Sequence, residues 1–295
     1  MKIHPRCIDC LMARVSYEAR LSTRDPERIR QVEEACRERI APYRAGVHPA
    51  PLVASEIHHL AYRLLSDPDP YRQLKEQSMA EAMTACRESR GDLHSFRDLV
   101  LAAVLANTYD YGISGHSVTG DFPAFFRSRF PLGLYRDDTS GIRPLARRVV
   151  YFTDNAGEIV FDLLLIRFLK AQGARVTLAV KGAPVLNDAT LVEAWQLGME
   201  REVDLLTTTG SGDIGVTWEK IPGDLARALA DATLIIAKGM ANYESLTEYA
   251  PRLPPVAYLL TVKCETVAES IGAPVGASMA ALEGAGPIPV SPGTG

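Results

Sequence analysis

The residues best suited to chemistry lie in the second half of the sequence, in short polar stretches that each follow an apolar run. Asp154, Asn155, Gly157 and Glu158 follow residues 148–153. Lys181, Gly182, Asn187 and Asp188 follow residues 175–180, and a turn from Thr207 to Asp213 that holds Ser211 closes residues 203–207. Lys238, Gly239, Asn242 and Glu244 follow residues 232–237, and Lys263 follows residues 256–262. By donor type, Asp154, Asn155 and Asp188 offer oxygen ligands. Such a set suits a hard or borderline divalent ion such as Mg or Mn, with waters completing an octahedron. Lys181, Lys238 and Lys263 supply positive charge suited to a phosphate. The Thr207–Gly212 turn could present N–H groups and hydroxyls to phosphate oxygens. Plainer readings exist for each. Asp154 and Asp188 could cap the helices that follow them, and each lysine could be a solvated surface residue.

Those stretches need a scaffold. Residues 148–153, 175–180, 203–207, 232–237 and 256–262 are short, largely apolar runs, as buried strands are. Between and after them, residues 157–172, 189–197, 218–230 and 265–271 carry helical spacing. Alternation of this kind predicts an α/β domain over 143–285, with a parallel sheet covered on both faces. Ligands of open α/β sheets bind beyond the carboxyl ends of the strands. The five polar stretches therefore predict one site along one edge. Residues 1–142 read as an all-helical domain, with apolar residues at helical spacing in 10–21, 57–65 and 96–109. The tail, 286–295, is rich in Pro, Gly and Ser and reads as flexible.

Composition narrows the function classes. The chain has 295 residues, 47% hydrophobic and 23% charged, with a net charge of −4 and no basic block to suggest nucleic acid. No apolar run approaches the ~18–20 residues of a membrane span, and residues 1–10 lack the apolar stretch of a signal peptide. Five scattered cysteines fit a reducing compartment, so the chain is read as cytoplasmic. The first βα turn, Thr-Asp-Asn-Ala-Gly-Glu, has one glycine where a dinucleotide-binding turn needs three. A Walker A loop, a Gly-x-Ser-x-Gly elbow and a paired-histidine zinc motif are all absent. The sequence leaves the oligomeric state open.

Taken together, the motifs resemble a family. Thr153-Asp-Asn-Ala-Gly-Glu158, Leu186-Asn-Asp-Ala-Thr190, Thr209-Gly-Ser211, Lys238-Gly-Met-Ala-Asn-Tyr-Glu244 and Lys263-Cys264 stand in the order seen in the damage-control phosphatases, domain-of-unknown-function family 89. Cys7-x-x-Cys10 together with Lys263-Cys264 resembles its microbial stand-alone branch, and Asn107-Thr-Tyr-Asp110 resembles its Gly-Asn-x-x-Asp element. The resemblance implies a helical domain followed by a Rossmann-like α/β domain. It also implies hydrolysis of phosphate esters of small metabolites, sugar phosphates or phosphopantetheine-like compounds, with Mn, Co, Ni or Mg as cofactor. Metal ligation carries over onto Asp154, Asn155 and Asp188. Substrate contacts carry over onto Asn242, Glu244 and Lys263, with Lys238 close by. Glu158, Ser211, Asn107 and Asp110 complete the expected substrate-binding set.

The sequence also departs from the family pattern. Ala106 stands where glycine is usual, Met240 where a polar residue is usual, and Ile214-Gly215 where Pro-Gly is usual. These departures point to a shifted substrate. Two other readings stay open: a methyltransferase using S-adenosylmethionine, and a non-catalytic metabolite-binding protein disabled by Met240.

The two halves are expected to meet at the site. An open carboxyl edge exposes phosphoryl transfer to water, so a cover is favourable. Asn107 or Asp110 is expected within about 8 Å of the Asp154 carboxylate, a span that one bridging group covers. The resemblance further implies that Cys7 and Cys10 approach Cys264.

Overall fold

The computed structural model describes residues 1–108 and 122–284. Asp110 and the tail at 286–295 lie outside the described residues. The chain opens with α1 (Pro5–Ser22), α2 (Pro26–Ile40) and α3 (Ala50–Leu65). Each has proline in its first turn, where the missing N–H costs nothing. The His4 and Asp25 side chains accept the first free N–H groups of α1 and α2. The apolar faces of the three helices close on one another around Val15, Val32, Cys36, Val53 and Ile57.

The next helices pack elsewhere. They are α4 (Arg72–Ser89), α5 (Phe96–Leu105) and α6 (Phe122–Arg129). A Ser95–Asp98 capping box starts α5, whose residues are buried on nearly every side. A helix apolar all round belongs inside a protein, and α5 lies against the sheet. The first 142 residues are thus shared between two cores, α1–α3 with each other and α4–α6 with the sheet.

The sheet comprises β1 (Arg136–Asp137), β2 (Arg148–Phe152), β3 (Arg175–Val180), β4 (Leu205–Thr208), β5 (Leu234–Lys238), β6 (Val256–Thr261) and β7 (Ser278–Glu283). Its order is β1-β7-β6-β5-β2-β3-β4, and every neighbouring pair is parallel except β6 and β7. The intervening helices are α7 (Thr139–Leu145), α8 (Ile159–Ala171), α9 (Leu191–Gln196), α10 (Gly223–Asp231), α11 (Gly239–Leu246) and α12 (Glu265–Ile271). Side chains alternate across the pleat. Val149, Tyr151, Leu234 and Ile236 face α5 and α8. Val150, Phe152, Ile235 and Ala237 face α10, α11 and α12. Strands covered on both faces must be apolar at almost every position, which is why those runs stand out in the sequence.

The structure adds elements that the sequence reading left out. Residues 239–246, read there as a polar stretch, form α11, and residues 278–283 form β7. In β7, Ser-Met-Ala-Ala-Leu-Glu is built mostly of good helix formers. Hydrogen bonding to β6 on one side and β1 on the other overrides that preference. Among the described residues, no helix is long and apolar enough to cross a membrane.

From β2 the chain steps outward through β3 and β4, then returns to β5 on the other side of β2. Such a reversal leaves a crevice beyond the carboxyl ends of the two central strands, the usual ligand position in an open α/β sheet. Here Asp154 follows β2 and Gly239 follows β5.

Candidate active site

Two strand-end loops are laced together over the crevice. Asn155 and Asp188 form an isolated antiparallel bridge. The Ala156 N–H donates to the Asn187 carbonyl at 2.8 Å, and the Ala189 N–H to the Asp154 carbonyl at 2.8 Å. Neither aspartate is a helix cap. The N-cap of α8 is Glu158, and that of α9 is Thr190, which forms a capping box with Glu193. The plain capping explanation for Asp154 and Asp188 is therefore removed.

Two amides hold the first carboxylate. Asn107 Nδ2 donates to Asp154 Oδ2 at 2.9 Å and to Glu158 Oε2 at 2.8 Å. Asn155 Nδ2 makes the same pair of contacts, at 3.0 and 2.9 Å. Asn107, just beyond the end of α5, is thus in direct contact with Asp154, well inside the expected span. The other half of its hold is to β6, because Asn107 Oδ1 accepts the Thr261 N–H at 3.3 Å. Gly239 completes the seat. Its φ of +73° is a left-handed value, and a Cβ there would overlap the Asp154 carboxylate.

Lys238 does not face a phosphate, contrary to the sequence expectation. Along β5 it shares the parity of Leu234 and Ile236, so its side chain enters the α5/α8 face and is wholly buried. Its ammonium donates to Glu158, to Asp162 Oδ1 at 2.7 Å and to the Ala103 carbonyl at 3.1 Å. Three donors meet three acceptors, leaving none for a substrate. Burial raises the Asp162 carboxyl pKa against the pull of Lys238, and Tyr151 donates to it at 2.7 Å. Burial also works to lower the Lys238 pKa, but Asp162 and Glu158 outweigh it and leave it raised. The cluster acts on the crevice through Glu158, which fixes both amides. Glu158 is likewise wholly buried and touches the crevice only through them.

A cavity of about 250 Å³ opens over these loops, between α1 and α3 on one side and the strand ends on the other. Asp154, Asn155, Asp188, Met240 and Glu244 line it, and so do Cys7, Cys10 and Cys264. The helical and sheet-bearing parts therefore meet at the site, and all three cysteines line the cavity there. All five cysteines are free, and burial pushes the Cys7 and Cys264 thiols up. Burial also pushes the Glu244 carboxyl up to about 7. Lys181, the remaining strand-end lysine, lies 3.6 Å from Asp188 and donates to the Asp213 carbonyl at 2.9 Å.

Other expected residues stand back from the cavity. Asn242 Nδ2 clamps the carbonyls of Thr153 and Lys238 at 2.9 and 2.8 Å, tying β2 to β5. Ser211 sits in the loop after β4, its carbonyl accepting the Gly182 N–H at 3.0 Å. Lys263 donates to the Asn107 carbonyl and thereby holds the segment that carries that amide. Sequence reasoning missed Asp162, Arg14 and Tyr62. Arg14 lines the cavity from α1, and nothing in an amphipathic helix distinguishes such an arginine from a solvated one. Asp162 was within reach, because it lies one helical turn beyond Glu158.

Comparisons with known proteins point to one family. Residues 3–279 match the family model described as the damage-control phosphatase ARMT1-like domain. A damage-control phosphatase of Archaeoglobus fulgidus is 39% identical over 283 residues, covering 94% of this chain and 97% of the relative. An uncharacterised Methanocaldococcus jannaschii protein is 32% identical, with 94% of each chain covered. The crystal structure of a DUF89 family protein of Pyrococcus horikoshii superposes with a TM-score of 0.85 at 26% identity, covering 95% of this chain and 98% of the other. With a family model spanning nearly its whole length and relatives matched end to end, this chain belongs to the damage-control phosphatase ARMT1-like family.

Proposed function

We propose that the chain is a metal-dependent phosphomonoester hydrolase acting on a small phosphorylated metabolite. The observation that carries this reading is that Asp154, Asn155 and Asp188 line one cavity at the crevice beside β2 and β5. The donor set fits a divalent ion. Asn155 commits its amide nitrogen to Asp154 and Glu158, which leaves its carbonyl oxygen as the ligating atom. Among the described residues, no three His, Cys, Asp or Glu side chains gather to hold a metal. Two carboxylates and one amide would instead leave the remaining positions to water, a pattern that suits Mg or Mn better than zinc, with Co and Ni to be tested beside them.

Bound there, the ion supplies Lewis acidity toward a phosphoryl oxygen and an activated water. The chain's own residues hold and orient. Asp154, Asn155 and Asp188 are the ligands. Asn107 and Asn155 fix the Asp154 carboxylate, and the Glu158–Lys238–Asp162 cluster fixes both amides. Five cysteines without a disulfide fit a reducing, cytoplasmic setting.

The test is phosphate release from a panel of sugar phosphates and p-nitrophenyl phosphate by the chelator-stripped chain, with Mn, Co, Ni or Mg restored singly. Release should require the metal and should disappear in Asp154→Ala and Asp188→Ala, with both variants still folded. Turnover by either variant at saturating Mn would overturn the ligand set. Release without any metal would overturn the mechanism.

A further inference from the structure

The polar triad occupies only part of the cavity. Ile3 and Leu11 line it from the N-terminal segment, Leu186 and Ile214 from the loops after β3 and β4, and Met240 from α11. Of the charged residues at its border, Arg14 and Glu244 line it beside the triad, and Arg6 pairs with Glu265 at 2.6 Å and with Glu269. The three cysteines add only weak hydrogen-bonding groups. Met240 is held in place, because its sulfur accepts the Lys263 N–H at 3.2 Å. The region into which a leaving group would extend is therefore walled chiefly by apolar side chains.

We propose that the substrate is a phosphate monoester with an apolar leaving group, and that Met240 selects it against polyhydroxylated sugars. This rests on the reading of Asp154, Asn155 and Asp188 as the phosphate end of the site. In the reaction, a water oxygen bonds to phosphorus and the ester P–O bond breaks. The leaving oxygen takes a proton, giving a free alcohol and inorganic phosphate. Each methylene moved from water onto these walls adds roughly two- to fourfold to binding. Each sugar hydroxyl buried against them loses its water partners and gains none, a penalty of about tenfold or more. Methionine suits the task, since a flexible thioether conforms to an aliphatic chain.

The experiment uses the full chain with Mn and a series of n-alkyl phosphates from ethyl to hexyl, with sorbitol 6-phosphate as the polyol matched to hexyl in carbon count. The expected kcat/KM climbs roughly two- to fourfold per methylene until the cavity is filled, and hexyl phosphate exceeds sorbitol 6-phosphate by about tenfold or more. Met240→Gln should shrink that preference. A flat alkyl series with phosphate still released, or better turnover of sorbitol 6-phosphate, overturns the proposal and leaves the phosphatase reading standing. Calorimetry with the corresponding alkylphosphonates separates the two ideas. Affinity that rises with chain length in a protein that releases no phosphate supports the apolar site and sinks the phosphatase reading. Affinity that does not rise, with no release, sinks both.

Discussion

The Tyr62 hydroxyl accepts the Leu186 N–H at 3.0 Å while donating to Glu18 Oε1 at 3.2 Å. Leu186 has a φ of +47°, one of only two positive values among the described non-glycine residues. A branched aliphatic residue is strained in that region, so the contact that holds it matters. Two residues later comes Asp188. Through Tyr62, the helical part of the chain thus holds the loop that carries a candidate metal ligand.

Tyr62→Phe leaves the buried Leu186 N–H without its partner, at a cost of about 1–3 kcal/mol. The loop should relax, and Mn affinity should fall more than the affinity for phosphate esters at saturating Mn. Urea unfolding and a calorimetric Mn titration would check this. A stable variant with unaltered Mn affinity would show that Asp188 needs no such support.

Lys238 gives the second prediction. Lys238→Met removes the cation between Glu158 and Asp162, two carboxylates in a fully buried site. Breaking a buried pair from one side typically costs about 3–5 kcal/mol. The loss should be larger at pH 8 than at pH 5, because burial already holds the Asp162 carboxyl up at about 6 and, without the lysine, it can take up a proton at the lower pH. Lys263→Met, by contrast, removes a half-buried lysine that donates to the Asn107 carbonyl and does not stand between two wholly buried carboxylates, and it should cost less. Equal unfolding midpoints for the two variants would contradict the assignment.

Comparison of these two lysines shows what could be read from the sequence. Both follow an apolar run, and both looked like phosphate ligands. The alternation of β5 settles Lys238, since a residue in register with Leu234 and Ile236 points where they point. The strands β2, β3, β5 and β6 were legible because burial on both faces makes them almost continuously apolar. The partner of Asp154 was legible through the resemblance of Asn107-Thr-Tyr-Asp110, at the end of an apolar helix, to a family motif. What was not legible came from long-range pairing. Ser278–Glu283 has no strand signature of its own and becomes β7 only between β1 and β6. Tyr62 and Arg14 sit on helices whose patterns do not say which face meets the sheet.

The third prediction concerns pH. Glu244 is held near 7 by burial, against an ordinary value of 4.5. Between those values the folded chain keeps a proton that the unfolded chain has released. Stability on this group's account is therefore greatest at low pH and falls as pH rises from about 4.5 to about 7. The loss is on the order of 1–3 kcal/mol once the carboxyl is ionised. Glu244→Gln should flatten that part of the stability curve and gain stability relative to the parent at pH 8. Parallel curves for the two proteins across this window would show that the carboxyl titrates normally.

The last prediction separates strain from occupancy at the crevice. Gly239 and Gly173 both have left-handed backbones, with φ of +73° and +84°. Alanine at either position should cost about 1 kcal/mol through the backbone alone. Their surroundings differ completely. A Cβ at 173 meets nothing within 4 Å, whereas a Cβ at 239 overlaps the Asp154 carboxylate. That carboxylate has little room to retreat, since Asn107 and Asn155 both hold its Oδ2 and both also hold Glu158. Gly239→Ala must therefore displace Asp154 or shift the start of α11 away from β2. Either movement disturbs the candidate ligand set without changing any charge. Gly173→Ala should lose only stability, with metal-dependent turnover and Mn affinity close to the parent. Gly239→Ala should lose turnover by about a hundredfold, as misplacement of a reacting group by about 1 Å does, and Mn affinity should fall with it. If the two variants proved equally active and equally able to bind Mn, the crevice between β2 and β5 would not be where the chemistry happens.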